Sequence, residues 1–138
     1  MVIDCENQLF TIVAKQLRAA FPGIYVTGEY VRAPARFPCV SIEERDNSVW
    51  RNSRTNDVEV HAAIMYEINV YSNKTTGKKQ ECKAIVQVAD KAMGKMGFTR
   101  TMLTPIQNLA DATIYRMSGR YSGNVAQTGD NDFLIYKR

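Results

Sequence analysis

Histidine is almost missing from this chain, with His61 the only one in 138 residues. A Ser-His-Asp or Cys-His arrangement would have to use it. It stands at the entry to a strand with no short-range partner, so it reads as a structural or exposed residue. Cysteine is nearly as sparse. Cys5, Cys39 and Cys82 are odd in number and far apart, with neither C-x-x-C spacing nor a nearby histidine to complete a zinc set. Buried free thiols in a reducing compartment are therefore expected. Neither G-x-x-x-x-G-K-S/T nor G-x-G-x-x-G occurs, and Gly94 and Gly97 form no phosphate loop. No apolar run approaches the roughly 20 residues that span a bilayer. Asp4 and Glu6 occupy the N-terminal stretch where a signal peptide carries positive charge, so a soluble cytoplasmic protein is the default. No catalytic, cofactor-binding or metal-ligating residue is expected, and the chain does not read as an enzyme.

A dense block of one charge is also lacking. The 18 Lys and Arg exceed the 14 Asp and Glu to give a net charge of +4, but they are spread from Lys15 to Arg138. Such a surface permits contact with nucleic acid without demanding it. The run Lys74, Lys78, Lys79, Lys83 opposes the dipole of the helix it opens and reads as a solvated face. With 45% hydrophobic and 23% charged residues the composition is that of a globular protein, not a disordered one. The length suits a single domain spanning 1–138, with no internal repeat or linker.

What is present is a fold pattern. Ile64, Tyr66, Ile68 and Val70 alternate with Glu67 and Asn69, which describes a half-buried strand. Cys82, Ile85, Val86, Ala89, Met93 and Met96 recur at steps of three and four, one stripe of a helix. The strand from Ala63 to Tyr71 spans roughly 30 Å, and a helix from about Gly77 to Met96 spans about the same. The helix can cover the strand end to end. A first amphipathic helix carries Leu9, Ile12, Val13, Leu17 and Ala20, with Asp4 as N-cap and Pro22-Gly23 as its stop.

Further strands are expected at Ile24–Val26, from Val40 to about Arg45, and from Phe98 to about Leu103, the last ended by Thr104-Pro105-Ile106. A long one follows over Ala112–Val125, with Tyr115, Met117, Tyr121 and Val125 on one side. Arg116, Ser118, Arg120 and Ser122 lie on the other, and Gly119 and Gly123 weaken or bend the strand. Phe133–Tyr136 closes the set. The fold class is α+β, a mainly antiparallel sheet with two helices packed on one face.

Glu43 and Glu44 are adjacent, so they point to opposite faces of a strand and read as a solvated edge, not a cooperating pair. Asp46 to Asp57 reads as a twelve-residue polar loop, long enough to suggest function or mobility. On it Trp50, Arg51 and Arg54 are the best exposed contact candidates, since Trp and Arg are enriched among interface anchors. The alternative is that Trp50 folds back and the arginines are merely solvated. Met65 and Tyr71 lie on the strand face opposite the core and are further candidate partner or oligomer contacts.

The order of segments is itself informative. Phe37-Pro38-Cys39-Val40-Ser41-Ile42-Glu43-Glu44, then Tyr66 to Asn73, then Gly97-Phe98, then Arg120-Tyr121-Ser122-Gly123 resembles the tail terminator, or tail completion, proteins of long-tailed phages and prophages. The resemblance spans almost the whole chain. It implies a small structural subunit that assembles, usually as a hexameric ring, on the last ring of the tail tube, stops polymerisation and presents a surface for head joining. The implied partners are other copies of itself, the tail tube protein and the head-tail connector protein, with a passing contact with DNA and no membrane. The implied location is the head-proximal end of the virion tail, after assembly in the host cytoplasm. Another head-completion or connector subunit and a basic nucleic-acid-binding module are the alternatives.

Overall fold

The computed structural model describes residues 3–29, 31, 34–49, 61–107, 112–127 and 133–136, with the backbone alone at 49, 61, 127 and 133–136. Two helices, α1 (Glu6–Ala20) and α2 (Lys78–Lys95), pack on each other and on one face of a sheet. The strands are β1 (Tyr25–Thr27), β2 (Cys39–Val49), β3 (His61–Ser72), β4 (Thr99–Gln107), β5 (Tyr115–Gln127) and β6 (Phe133–Tyr136). Their order is β1-β2-β3-β5-β4, with β6 pairing β5 beyond the end of β4. Only β1 and β2 run parallel, so the sheet is mixed and mostly antiparallel and the fold is α+β, as the patterning requires.

The alternation in β3 decides which face the helices cover. Ile64, Tyr66, Ile68 and Val70 are buried beneath them with Val40 and Ile42 of β2 and Met117, Tyr121 and Val125 of β5. From α2, Cys82, Ile85, Val86, Ala89 and Met93 enter the same core, as does the α1 stripe of Leu9, Val13 and Leu17. Tyr66 is fully buried, and its hydroxyl donates to Glu44 Oε1 and meets Cys5 Sγ, both at 3.4 Å. The start of α1 is tied to the sheet there. Glu44 N–H donates to Glu6 Oε2 at 3.0 Å, and Asn47 Nδ2 donates to the Ile3 carbonyl at 2.8 Å. Asp4 sits one residue before the N-cap, Cys5, and its carboxylate accepts from Glu6 N–H at 3.0 Å.

α2 ends in a Schellman motif. Phe98 N–H donates to the Met93 carbonyl and Gly97 N–H to that of Gly94, both at 3.0 Å, with Gly97 at φ 97°. That left-handed turn sends Phe98 back into the core, edge-on to Tyr66 at 5.7 Å.

Several boundaries differ from the sequence expectation, each for a tertiary reason. β2 continues past Arg45, where a bulge shifts the register, and Asp46–Val49 pair with Met65–Ala62. The expected twelve-residue loop is therefore partly strand. β4 runs through Pro105 to Gln107 instead of stopping at Leu103. It is the edge strand, so the N–H that Pro105 lacks costs no ladder bond. Glu43 and Glu44 lie on β2, the second strand of the sheet, and are half-buried, so they are not a solvated edge.

Candidate functional site

The sheet face away from the helices carries the unusual chemistry. Strand parity brings Ser41, Asn69, Ser118 and Thr104 into one row across β2, β3, β5 and β4, and Glu43, Glu67, Arg120 and Met102 into the next. Cys39, Tyr71, Arg116 and Ile106 form a third. Residues directly opposite are the closest side-chain neighbours in a sheet, so each row is a contact set.

Arg116 reaches across to β3 and places both Nε (3.0 Å) and one Nη (2.9 Å) on Asn69 Oδ1, while its guanidinium lies 5.7 Å from the centre of the Tyr71 ring. Asn69 Nδ2 in turn donates to Glu67 Oε2 at 3.1 Å, and Arg120 Nε donates to Glu67 Oε1 at 3.2 Å. Burial pushes the Glu67 carboxyl up, but the hydrogen bonds from Asn69 and Arg120 outweigh it and hold the group below its usual range. Glu67 and Asn69 are legible in the sequence as the polar members of the β3 alternation. Their partners become visible only once β5 lies beside β3.

This face is not fully satisfied. Ser41 Oγ, Ser118 Oγ and Glu43 Oε1 are buried without a hydrogen-bond partner among the described residues. An unsatisfied buried polar group costs about 1–3 kcal/mol. Glu43 stands opposite Glu67 in the β2–β3 register, with Arg45 at 3.8 Å from its other oxygen. Burial raises its carboxyl above the usual range, and Glu67 adds to that while Arg45 opposes it. Arg116 has no carboxylate partner among the described residues, where the ion pairs of this face are Arg120 with Glu67 and Arg45 with Glu43. The surface therefore mixes signs: a half-exposed guanidinium held only by neutral groups lies near a carboxylate with one free oxygen.

The crossover from β1 to β2 covers one end of this face. A parallel pair cannot be closed by a tight hairpin, and the connection lays Val31 and Phe37 against Cys39, Tyr71 and Ile114. Tyr71 faces away from the helices, as its parity predicts, but it is buried and its hydroxyl donates to the Val31 carbonyl at 2.8 Å. Tyr71, expected as a candidate partner or oligomer contact, is thus covered by its own chain. Met65 is half-buried at the opposite end, beside a cleft of about 280 Å³ lined also by Asp46, Thr99, Thr101, Ser122 and Asn124. Trp50, Arg51 and Arg54 lie outside the described residues, as does the side chain of His61. Among the described residues no three His, Cys, Asp or Glu side chains are grouped to hold a metal ion, and no helix is long and apolar enough to cross a membrane.

All three cysteines are free and buried. Burial raises the Cys39 thiol to about 11 and the Cys82 thiol to about 12. Cys82 Sγ also lies 3.7 Å from the Val70 carbonyl and 3.6 Å from that of Tyr115. These are packing groups, poor nucleophiles at neutral pH. Comparison of the chain with protein-family models and with curated proteins returns no match.

Proposed function

We propose that this chain is a structural subunit of phage tail assembly, capping the tail tube as an oligomeric ring, usually of six copies, and offering the surface to which the head connector joins. The observation that carries the reading is the outer sheet face, where the half-exposed Arg116 has no carboxylate partner among the described residues. A protein partner can set a carboxylate against the half-exposed Arg116, whereas Glu43 Oε1 is buried and out of its reach. The phosphate backbone of DNA can meet only the arginine and is repelled by Glu43 and Glu67. The segment order from Phe37 to Gly123 supplies the family context. Among the described residues strand β4 offers an open edge at one side of the sheet and β1 at the other, and subunits can add there.

Capping needs no covalent chemistry. A heterologous contact whose rotation closes leaves no unsatisfied edge around the ring and so ends growth. The test is electron microscopy of tails assembled without the protein. Overlong or irregular tails that fail to join heads are expected, and tails of normal length that join heads normally would overturn the proposal. Normal tails that fail only at head joining would instead favour a different connector subunit.

A further inference from the structure

A second surface lies on the opposite side of the molecule, where α1 and α2 pack together. Ile12, Gln16, Ala19 and Ala20 of α1 face Val88, Lys91, Ala92, Lys95 and Met96 of α2 across a groove of about 480 Å³. The spacing makes each row one stripe of its helix, and each stripe runs for about 12 Å, or two turns. Its floor is apolar. Ile12 is the one exposed large hydrophobic side chain among the described residues, and Val88 and Met96 are only half-buried. Alanines at 19, 20 and 92 keep the groove open, since longer side chains there would fill it.

The rim is of one sign. Lys91 and Lys95 line it, and the exposed Lys15 follows Ile12 on the same face of α1. Among the described residues no carboxylate lines the groove, and the acids of both helices are engaged elsewhere. Asp90 accepts from Arg100 at 3.2 Å and from the Tyr121 hydroxyl at 3.0 Å. Glu6 holds the Glu44 N–H, and Glu81 accepts from Ser72 at 2.6 Å and pairs with Lys74 at 3.2 Å. An apolar floor two turns long with an unbalanced basic rim is complementary to a helix that carries small apolar side chains on one stripe and carboxylates beside it.

We infer that the α1/α2 groove docks an acidic amphipathic helix of another protein. The inference does not rest on the assembly reading, which concerns the other face of the sheet. Its occupant meets Ile12 with apolar side chains and Lys91 and Lys95 with carboxylates.

The test uses the full chain and two fluorescein-labelled synthetic helices of about fifteen residues, roughly 22 Å long. Both carry Leu and Ala on one stripe, flanked by Glu in one peptide and by Lys in the other, and binding is read by fluorescence anisotropy. The acidic peptide is expected to bind at least about tenfold more tightly than the basic one, and more weakly at about 0.5 M salt. K91E/K95E should reverse that preference and Ile12→Ser should weaken both peptides. All three sites are exposed, and a thermal melt of each variant confirms that it folds. Equal affinity for the two peptides, no binding at millimolar concentration, or binding indifferent to these substitutions would each overturn the inference. It is also overturned if sedimentation shows that Ile12→Ser converts a self-associated chain to monomer, or if anionic phosphatidylglycerol vesicles bind through Ile12 where the peptides do not.

Discussion

Replacing Gly123 by alanine sets a rule of thumb against a specific steric contact. Glycine inside a strand is disfavoured by about 0.5–1 kcal/mol relative to alanine, because the unfolded chain loses more freedom. Gly123 has no positive φ to protect it, so from local preference alone Gly123→Ala should stabilise. The structure reverses the sign. A Cβ at this position would stand 2.7 Å from Phe98 Cδ1 and 2.9 Å from its Cε1. The ring has little room to retreat: Phe98 is 4% exposed and set edge-on, at 5.7 Å, to the fully buried Tyr66.

Overpacking of this kind costs about 1–3 kcal/mol, which at its central value outweighs the local gain and leaves a net loss of about 1 kcal/mol out of a typical 5–15. Urea denaturation should show a lower midpoint at unchanged slope. Gly94→Ala is the control, since its Cβ meets nothing within 4 Å, and in the last turn of α2 it should gain part of the roughly 0.8–1 kcal/mol expected in a helix interior. If the Phe98 ring is the cause, the cost of Gly123→Ala should largely vanish in a Phe98→Leu background. The reasoning fails if Gly123→Ala is as stable as the parent, or if its cost is the same with Leu at position 98.

Three further outcomes are expected. Ile85 is fully buried between α2 and the sheet, so Ile85→Asp forfeits roughly 1.5–3 kcal/mol of burial and adds the cost of a buried charge; circular dichroism should show an unfolded chain, and a cooperative melt would show the helix face to be misplaced. The three thiols should resist iodoacetamide at pH 8 in the native state and react once urea unfolds the protein, as burial raises all of them; rapid native labelling of any one would contradict its position. The pH dependence of stability should differ in sign between the two outer-face glutamates. Glu67 titrates below its unfolded value of about 4.3, so its contribution is present above that pH and lost as pH falls through the lower folded value. Denaturation of Glu67→Gln should therefore show lower stability at pH 7 and a flatter acid limb. Glu43 titrates above that value, so Glu43→Gln should be at least as stable as the parent at pH 7. That gap should close as pH falls from the raised folded value to about 4.3.

Much of the fold can be read along the chain because its signals are local. The β3 alternation, the α2 stripe and the Gly97 stop each depend on residues a few positions apart, and β3, α2 and the Phe98 restart fall where those patterns place them. Boundaries moved where distant strands intervened: β2 lengthened because Ala62–Met65 pair with its far end, and β4 passed through Pro105 because its other side is an open edge. The outer face was half legible. Parity put Arg116, Ser118 and Arg120 on one side of β5 and Glu67 and Asn69 on one side of β3. No periodicity could say that β5 lies beside β3 in the register that sets Arg120 opposite Glu67 and brings Arg116 onto Asn69.

Which residues turn inward follows from the pattern along the chain, because burying apolar side chains at a fixed period is a local and strongly favourable choice. The same pattern leaves His61 with no short-range partner and spaces the cysteines unlike a zinc site. What the outward-facing residues meet depends on long-range packing. Strand order and register are set by contacts between segments some fifty residues apart, such as Asn69 with Arg116. Those contacts buried Tyr71 under its own crossover, left the buried Glu43 Oε1 without a donor among the described residues, and made Gly123 the position where the Phe98 ring passes.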